Sequence, residues 1–197
     1  EDKTATSGVL LSFLHGIFIM AVCMLCMPWF LRKFSSDPEI VRLALLYSRR
    51  AFLFSPVITL GLCFEKIFQS LGKMKLTMIS MICGCAANII LDPIMIFGIG
   101  PFSAMGISGA AWATGIGQCL TLLIYVLFYG FCRLPIRIRW QYLRPDAAIM
   151  KKLYSTGIPA ALNLALPSLL ISALNGLLAG FSDKYVLVLG AYYKLQT

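Results

Sequence analysis

Long charge-free apolar runs alternate with short polar breaks along this chain. Val9–Leu31 is interrupted only by Ser12, His15 and Pro28. Ala51–Phe64 is free of charge, and Ile40–Tyr47 lengthens it on the N-terminal side. Leu76–Phe97 contains one charge, Asp92, while Ala104–Phe131 and Gly157–Phe181 contain none. A sixth run starts at Tyr185 and is still open at Thr197. A helix that crosses a bilayer needs about 20 predominantly apolar residues, and it satisfies its own backbone polar groups in lipid. The pattern therefore predicts an all-α, polytopic transmembrane helix bundle of five complete helices and the start of a sixth. The alternating segments of about ten residues that mark membrane strands are not seen.

The breaks between runs supply the boundaries. The first helix is expected over Val9–Leu31. In the turn that follows, Asp37 suits an N-cap, Pro38 the first helical position and Glu39 the positive end of the helix dipole. The second helix then runs over about Pro38–Leu71, kinked at Pro56 and stopped by Gly72. The third is expected over Lys75–Gly98, bent near Asp92-Pro93, and the fourth over Met105–Phe131 after a Gly- and Pro-containing loop, Ile99–Ser103. The fifth is expected over Ile158–Phe181 and the sixth from Val186. On the fourth, Gly106, Ser108, Gly109, Ala110, Ala113 and Gly117 recur at the spacing that lets membrane helices approach closely.

Composition agrees with this reading. The 197 residues are 59% hydrophobic and 13% charged, against about 45–50% and ~25% in soluble domains. The formal net charge of +9 is not a nucleic-acid footprint, because the basic residues sit in the breaks. Arg133, Arg137, Arg139, Arg144, Lys151 and Lys152 crowd one connection and Lys66, Lys73 and Lys75 another. The positive-inside rule then places the N-terminus and both connections in the cytoplasm, against a smaller opposing group of Arg32, Lys33, Arg42, Arg49 and Arg50. The expected organisation is a first group of helices over 1–132, a basic cytoplasmic connector over 133–155 and a second group from 156 to 197. Residues Glu1-Asp2-Lys3 form no basic leader and no cleavage site follows the first run, so it does not read as a signal peptide. Without an initiator Met, and ending inside an apolar run, the chain is expected to be part of a longer one.

The seven cysteines read as small packing residues of membrane helices; Cys23 and Cys26 have C-x-x-C spacing without the βαβ context of a redox motif. No nucleophile triad, metal-ligand cluster or phosphate-binding glycine loop occurs, so neither an enzyme nor a resident cofactor is expected. An ionisable residue inside a membrane helix is costly and marks function by default, which singles out Asp92. Asn88 stands one helical turn before it on the same face, and a carboxylate and an amide so placed suit a proton or Na⁺. The same Asp, next to Pro93, also fits a turn residue at the headgroups. Thr114 and Gln118 form a second polar pair, more often glue between helices. His15, the one histidine, is a weak signal for a proton relay. Tyr47 suits an interfacial anchor, and Glu65 and Lys66 an interfacial pair.

Phe68–Gly98, FQSLGKMKLTMISMICGCAANIILDPIMIFG, resembles the multidrug and toxic compound extrusion (MATE) family, with its Q-x-x-G-x-x-K/R step and N-x-I-L-D-P-x-x-I-F-G helix. Gly106–Gln118, GISGAAWATGIGQ, is similar to the family's next helix. GIPAALN, Gly157–Asn163, resembles the opening of its seventh and VLGAYYKLQT, Val188–Thr197, the start of its eighth. The resemblance covers nearly the whole chain and implies family helices three to seven and the start of eight, out of twelve in two lobes. It further implies a multi-pass protein of the plasma (inner) membrane that exports organic, often cationic compounds in exchange for H⁺ or Na⁺ by alternating access. Its partners are then small-molecule substrates, the lipid bilayer and the rest of the same chain. Onto this sequence the family's cation-coupling residues fall as Asn88, Asp92, Thr114 and, less directly, Tyr47, with Gln118 lining the substrate cavity and Na⁺ at Asp92 as the one metal implied. Where another branch of the family carries a helix-seven Glu, this sequence has Pro167, which favours coupling in the first lobe. The alternatives are a flippase for lipid-linked sugars from the same superfamily, which should show arginines within its spans, and a truncated, non-transporting membrane protein.

Overall fold

The computed structural model describes residues 2–34, 37–98, 104–132, 134–138, 141 and 147–179. Among these it forms six helices: α1 (Asp2–Phe34), α2 (Pro38–Leu53), α3 (Ser55–Ser70), α4 (Met74–Phe97), α5 (Ile107–Phe131) and α6 (Ala147–Ala179). Four of them, α1, α4, α5 and α6, are each long and apolar enough to cross a membrane, and α2 with α3 makes a fifth span, bent by 47°. The predicted all-α membrane bundle is thus the observed fold, and the five spans are the five complete helices read from the sequence. The sixth, from Val186, lies outside the described residues.

The bend in the second span falls at Phe54, just ahead of the proline that suggested it. Pro56 has no N–H to give, and its ring collides with the carbonyl of the preceding turn. The Phe54 amide accordingly closes α2 on the Ala51 carbonyl at 3.2 Å, and its own carbonyl takes the Ile58 amide at 2.9 Å to open α3. Asp37 caps α2 as expected, its carboxylate accepting the Glu39 amide at 2.9 Å. Gly72 adopts φ 70° between α3 and α4, and Gly98 φ 73° at the C-terminus of α4; such left-handed caps favour glycine. α4 runs through Pro93 as one element.

The clearest departure concerns α6. It starts at Ala147, not at Ile158, so the last part of the predicted connector, 147–155, is helical. Ala147, Ala148, Met150, Lys151, Lys152 and Leu153 are all good helix formers, and the basic pair does not interrupt them. α6 also carries both Pro159 and Pro167 inside it.

The chain divides into two compact units, Glu1–Pro145 and Asp146–Thr197. In the first, α4 lies most extensively against α5, and α1 against α3, while α5 also meets α2 and α3. Packing between membrane helices depends on close fit rather than on the hydrophobic effect, and glycines provide it here. A Cβ at Gly109 would run into the Met95 backbone, and one at Gly117 would stand 2.9 Å from the Gly84 carbonyl oxygen. On the far side of α5 the Phe54 ring occupies the place of a Gly115 side chain and meets Trp112 edge-on at 5.6 Å. Gly16 of α1 is pressed in the same way against Pro56 and Thr59, so the bend between α2 and α3 is held on both sides.

Candidate functional site

The tight seam between α4 and α5 places Asn88 opposite Thr114. The Asn88 amide nitrogen donates to the Thr114 hydroxyl at 3.4 Å, across 26 positions of sequence. The approach depends on Gly117: any side chain there would begin 3.2 Å from the Asn88 Cβ. One turn along α4, on the Asn88 face, stands Asp92. It is partly buried, and its Oδ1 is fully enclosed without a hydrogen-bond partner. Buried carboxylate oxygens are ordinarily satisfied, and each that is not costs stability. The seam therefore combines an amide, a hydroxyl and a carboxylate oxygen with unused acceptor capacity, all hard oxygen or proton-exchanging groups of the kind that hold a proton or a small cation.

The remaining candidates fall elsewhere. Tyr47, on α2, is 36% exposed and makes no hydrogen bond to this trio among the described residues. Gln118 is exposed on α5, one turn beyond Thr114, and makes no side-chain hydrogen bond to it among the described residues. His15 is exposed, and its Nδ1 donates to the Leu11 carbonyl of its own helix at 2.7 Å. Glu65 accepts from Gln69 at 2.8 Å and from Lys66 at 3.3 Å near the end of α3. Among the described residues no group of three or more His, Cys, Asp or Glu side chains could hold a metal ion.

Sequence reasoning missed an aromatic cluster at the opposite end of α5 from Ser108. Phe68 and Tyr125 are buried, at 0% and 1% exposure, and stack at 5.7 Å. Phe64 joins them and meets Tyr129 edge-on at 5.9 Å. In an apolar membrane helix an aromatic residue carries no periodic signal of its own, so only the packing reveals it.

The MatE family model matches residues 2–94. A multidrug export protein, MepA, of Staphylococcus haemolyticus is 28% identical over 149 residues, covering 76% of this chain and 32% of its own. Its namesake from Staphylococcus saprophyticus is 26% identical over 200 residues, covering 99% of this chain and 44% of its own. A solved MOP superfamily transporter from Pyrococcus furiosus superposes with a TM-score of 0.87 at 25% identity, over 99% of this chain and 43% of its own. The chain thus spans less than half the length of these relatives.

Proposed function

We propose that this chain is part of a MATE-family antiporter of the bacterial cytoplasmic membrane, a reading supported by the family-model match over residues 2–94 and by the similarity to multidrug export proteins and to a MOP superfamily transporter. The antiporter exports small organic, often cationic compounds in exchange for H⁺ or Na⁺ by alternating access. Asp92, with Asn88 and Thr114, is the cation-sensitive part of this chain. Tyr47 contributes from α2 and Gln118 lines the substrate path. The observation that carries the reading is the enclosed, unpartnered Asp92 Oδ1 beside the Asn88–Thr114 pair. Such an oxygen gains a partner when a proton or Na⁺ arrives and loses it on release. Occupancy of the seam then sets the charge on Asp92, and that charge sets whether a cationic substrate is attracted. Of the arginines in the described spans, Arg32 and Arg42 lie near span ends, and Arg49 and Arg50 lie beside the break at Phe54 within the bent span.

The test uses the product of the complete reading frame in proteoliposomes. A pH or Na⁺ gradient is imposed and efflux of a cationic dye is followed for wild type and Asp92→Asn. Gradient-driven efflux that is lost in Asp92→Asn, at equal protein level and fold, is the expected result. Efflux that survives the substitution removes Asp92 from the coupling step, and no efflux under either gradient removes the antiporter reading.

A further inference from the structure

The residues just after α5 do not leave the bundle. From Leu134 to Ile138 exposure alternates: Leu134, Ile136 and Ile138 are partly buried, while Pro135 and Arg137 are exposed. That is the period of an extended segment with one covered face. Leu134 and Ile138 pack on the Phe64, Phe68 and Tyr125 cluster. Two side chains from different helices take the backbone amides of the segment. Tyr129 of α5 accepts the Ile138 amide at 2.6 Å, and its hydroxyl lies 3.5 Å from the Ile136 carbonyl oxygen as a donor. Asp2 of α1 accepts the Arg137 amide at 2.9 Å.

We propose that residues 134–138 form a strap, latched by Tyr129 and Asp2, that closes this end of the α1, α3 and α5 bundle and lifts as a unit. Three features point to a strap and not to a passing loop. An extended segment has no ladder of its own, so its amides need partners, and here both come from outside the segment. The latching groups lie on the first and fifth helices, so the strap ties the two ends of the first unit together. Beneath it, the Tyr125 hydroxyl is buried with no hydrogen-bond partner. That is a cost of the closed state, and water relieves it when the strap lifts.

Site-resolved hydrogen exchange and hydroxyl-radical footprinting on the full-length product in nanodiscs test the strap without any transport assay. The Arg137 and Ile138 amides should exchange at least about tenfold more slowly than in a free peptide of the same sequence. Tyr129→Phe should speed Ile138 about fivefold, the loss of a net hydrogen bond, and raise radical labelling of Tyr125 and Phe68. Asp2→Ala should speed Arg137 and serves alone if Tyr129→Phe does not fold. Free-peptide rates in the wild type, labelling of Tyr125 and Phe68 in the wild type as strong as in Tyr129→Phe, or unchanged exchange in the folded variants would each overturn the strap.

Discussion

Gly115→Ala probes the packing on which the bundle depends. The added Cβ falls among the ring atoms of Phe54, which is itself wedged beside Trp112 at the bend of α2 and α3. Either the ring must turn out of its edge contact with Trp112 or α5 must back off from the bend. Overpacking of this kind costs about 1–3 kcal/mol, and an overlap with three ring atoms belongs at the upper end. Replacing a helical glycine by alanine returns about 1 kcal/mol of propensity, leaving a net loss of about 2 kcal/mol. Gly61→Ala is the control: nothing lies within 4 Å of the new Cβ, so only the gain of up to about 1 kcal/mol applies. Unfolding in mixed micelles, followed by circular dichroism, measures both. In a double-mutant cycle with Phe54→Ala the ring is gone, and Gly115→Ala should then cost nothing, a coupling of about 2–3 kcal/mol. Equal effects at positions 61 and 115, or additivity with Phe54→Ala, would refute the socket.

Three further outcomes are expected. Phe68→Ala removes a fully buried ring stacked on Tyr125 and should destabilise by about 3–5 kcal/mol in the same unfolding assay. Asp37→Ala removes the cap that accepts the Glu39 amide and should cost about 1 kcal/mol, while Asp37→Asn retains an acceptor and should cost less, read as thermal midpoints. Gly117→Leu should drive the Asn88 side chain away from Thr114 and abolish any Na⁺-dependent rise in melting temperature; a rise equal to that of wild type would separate the seam from cation binding.

How much was legible depended on the scale of the signal. Membrane spans are written as contiguous apolar residues, so their number and order could be read directly. The break at Phe54 was visible to within two residues because proline acts locally on the backbone. The start of α6 at Ala147 was missed because Lys151 and Lys152 were weighed as topology signals, although both are good helix formers. The strap was also present in the sequence, as the alternation Leu134, Ile136, Ile138, but the neighbouring basic residues obscured it. Asn88 and Asp92 share a helix face and could be paired by spacing. Thr114 could not, since its meeting with Asn88 is set by two helices and by the glycines between them. The Phe54 ring against Gly115 is legible only in three dimensions, because a glycine in a membrane helix does not say which side chain uses its space.

The same glycines bear on the proposed site. An enclosed carboxylate oxygen without a partner is normally removed by relaxation: a rotamer change, a neighbouring donor or a slight separation of helices. Gly109 against the Met95 backbone and Gly117 against the Gly84 carbonyl leave α4 and α5 little room to shift apart without losing contact along the seam, and interhelical contact is the main term holding membrane helices together. Asp92 is therefore held in a position the packing does not satisfy. A group kept so gains when a partner arrives from outside, because the cost of the unsatisfied oxygen is then relieved. A site built for permanent structure would supply its own donor. One whose partner must come and go, as the proposed antiport requires, has reason to leave that oxygen open.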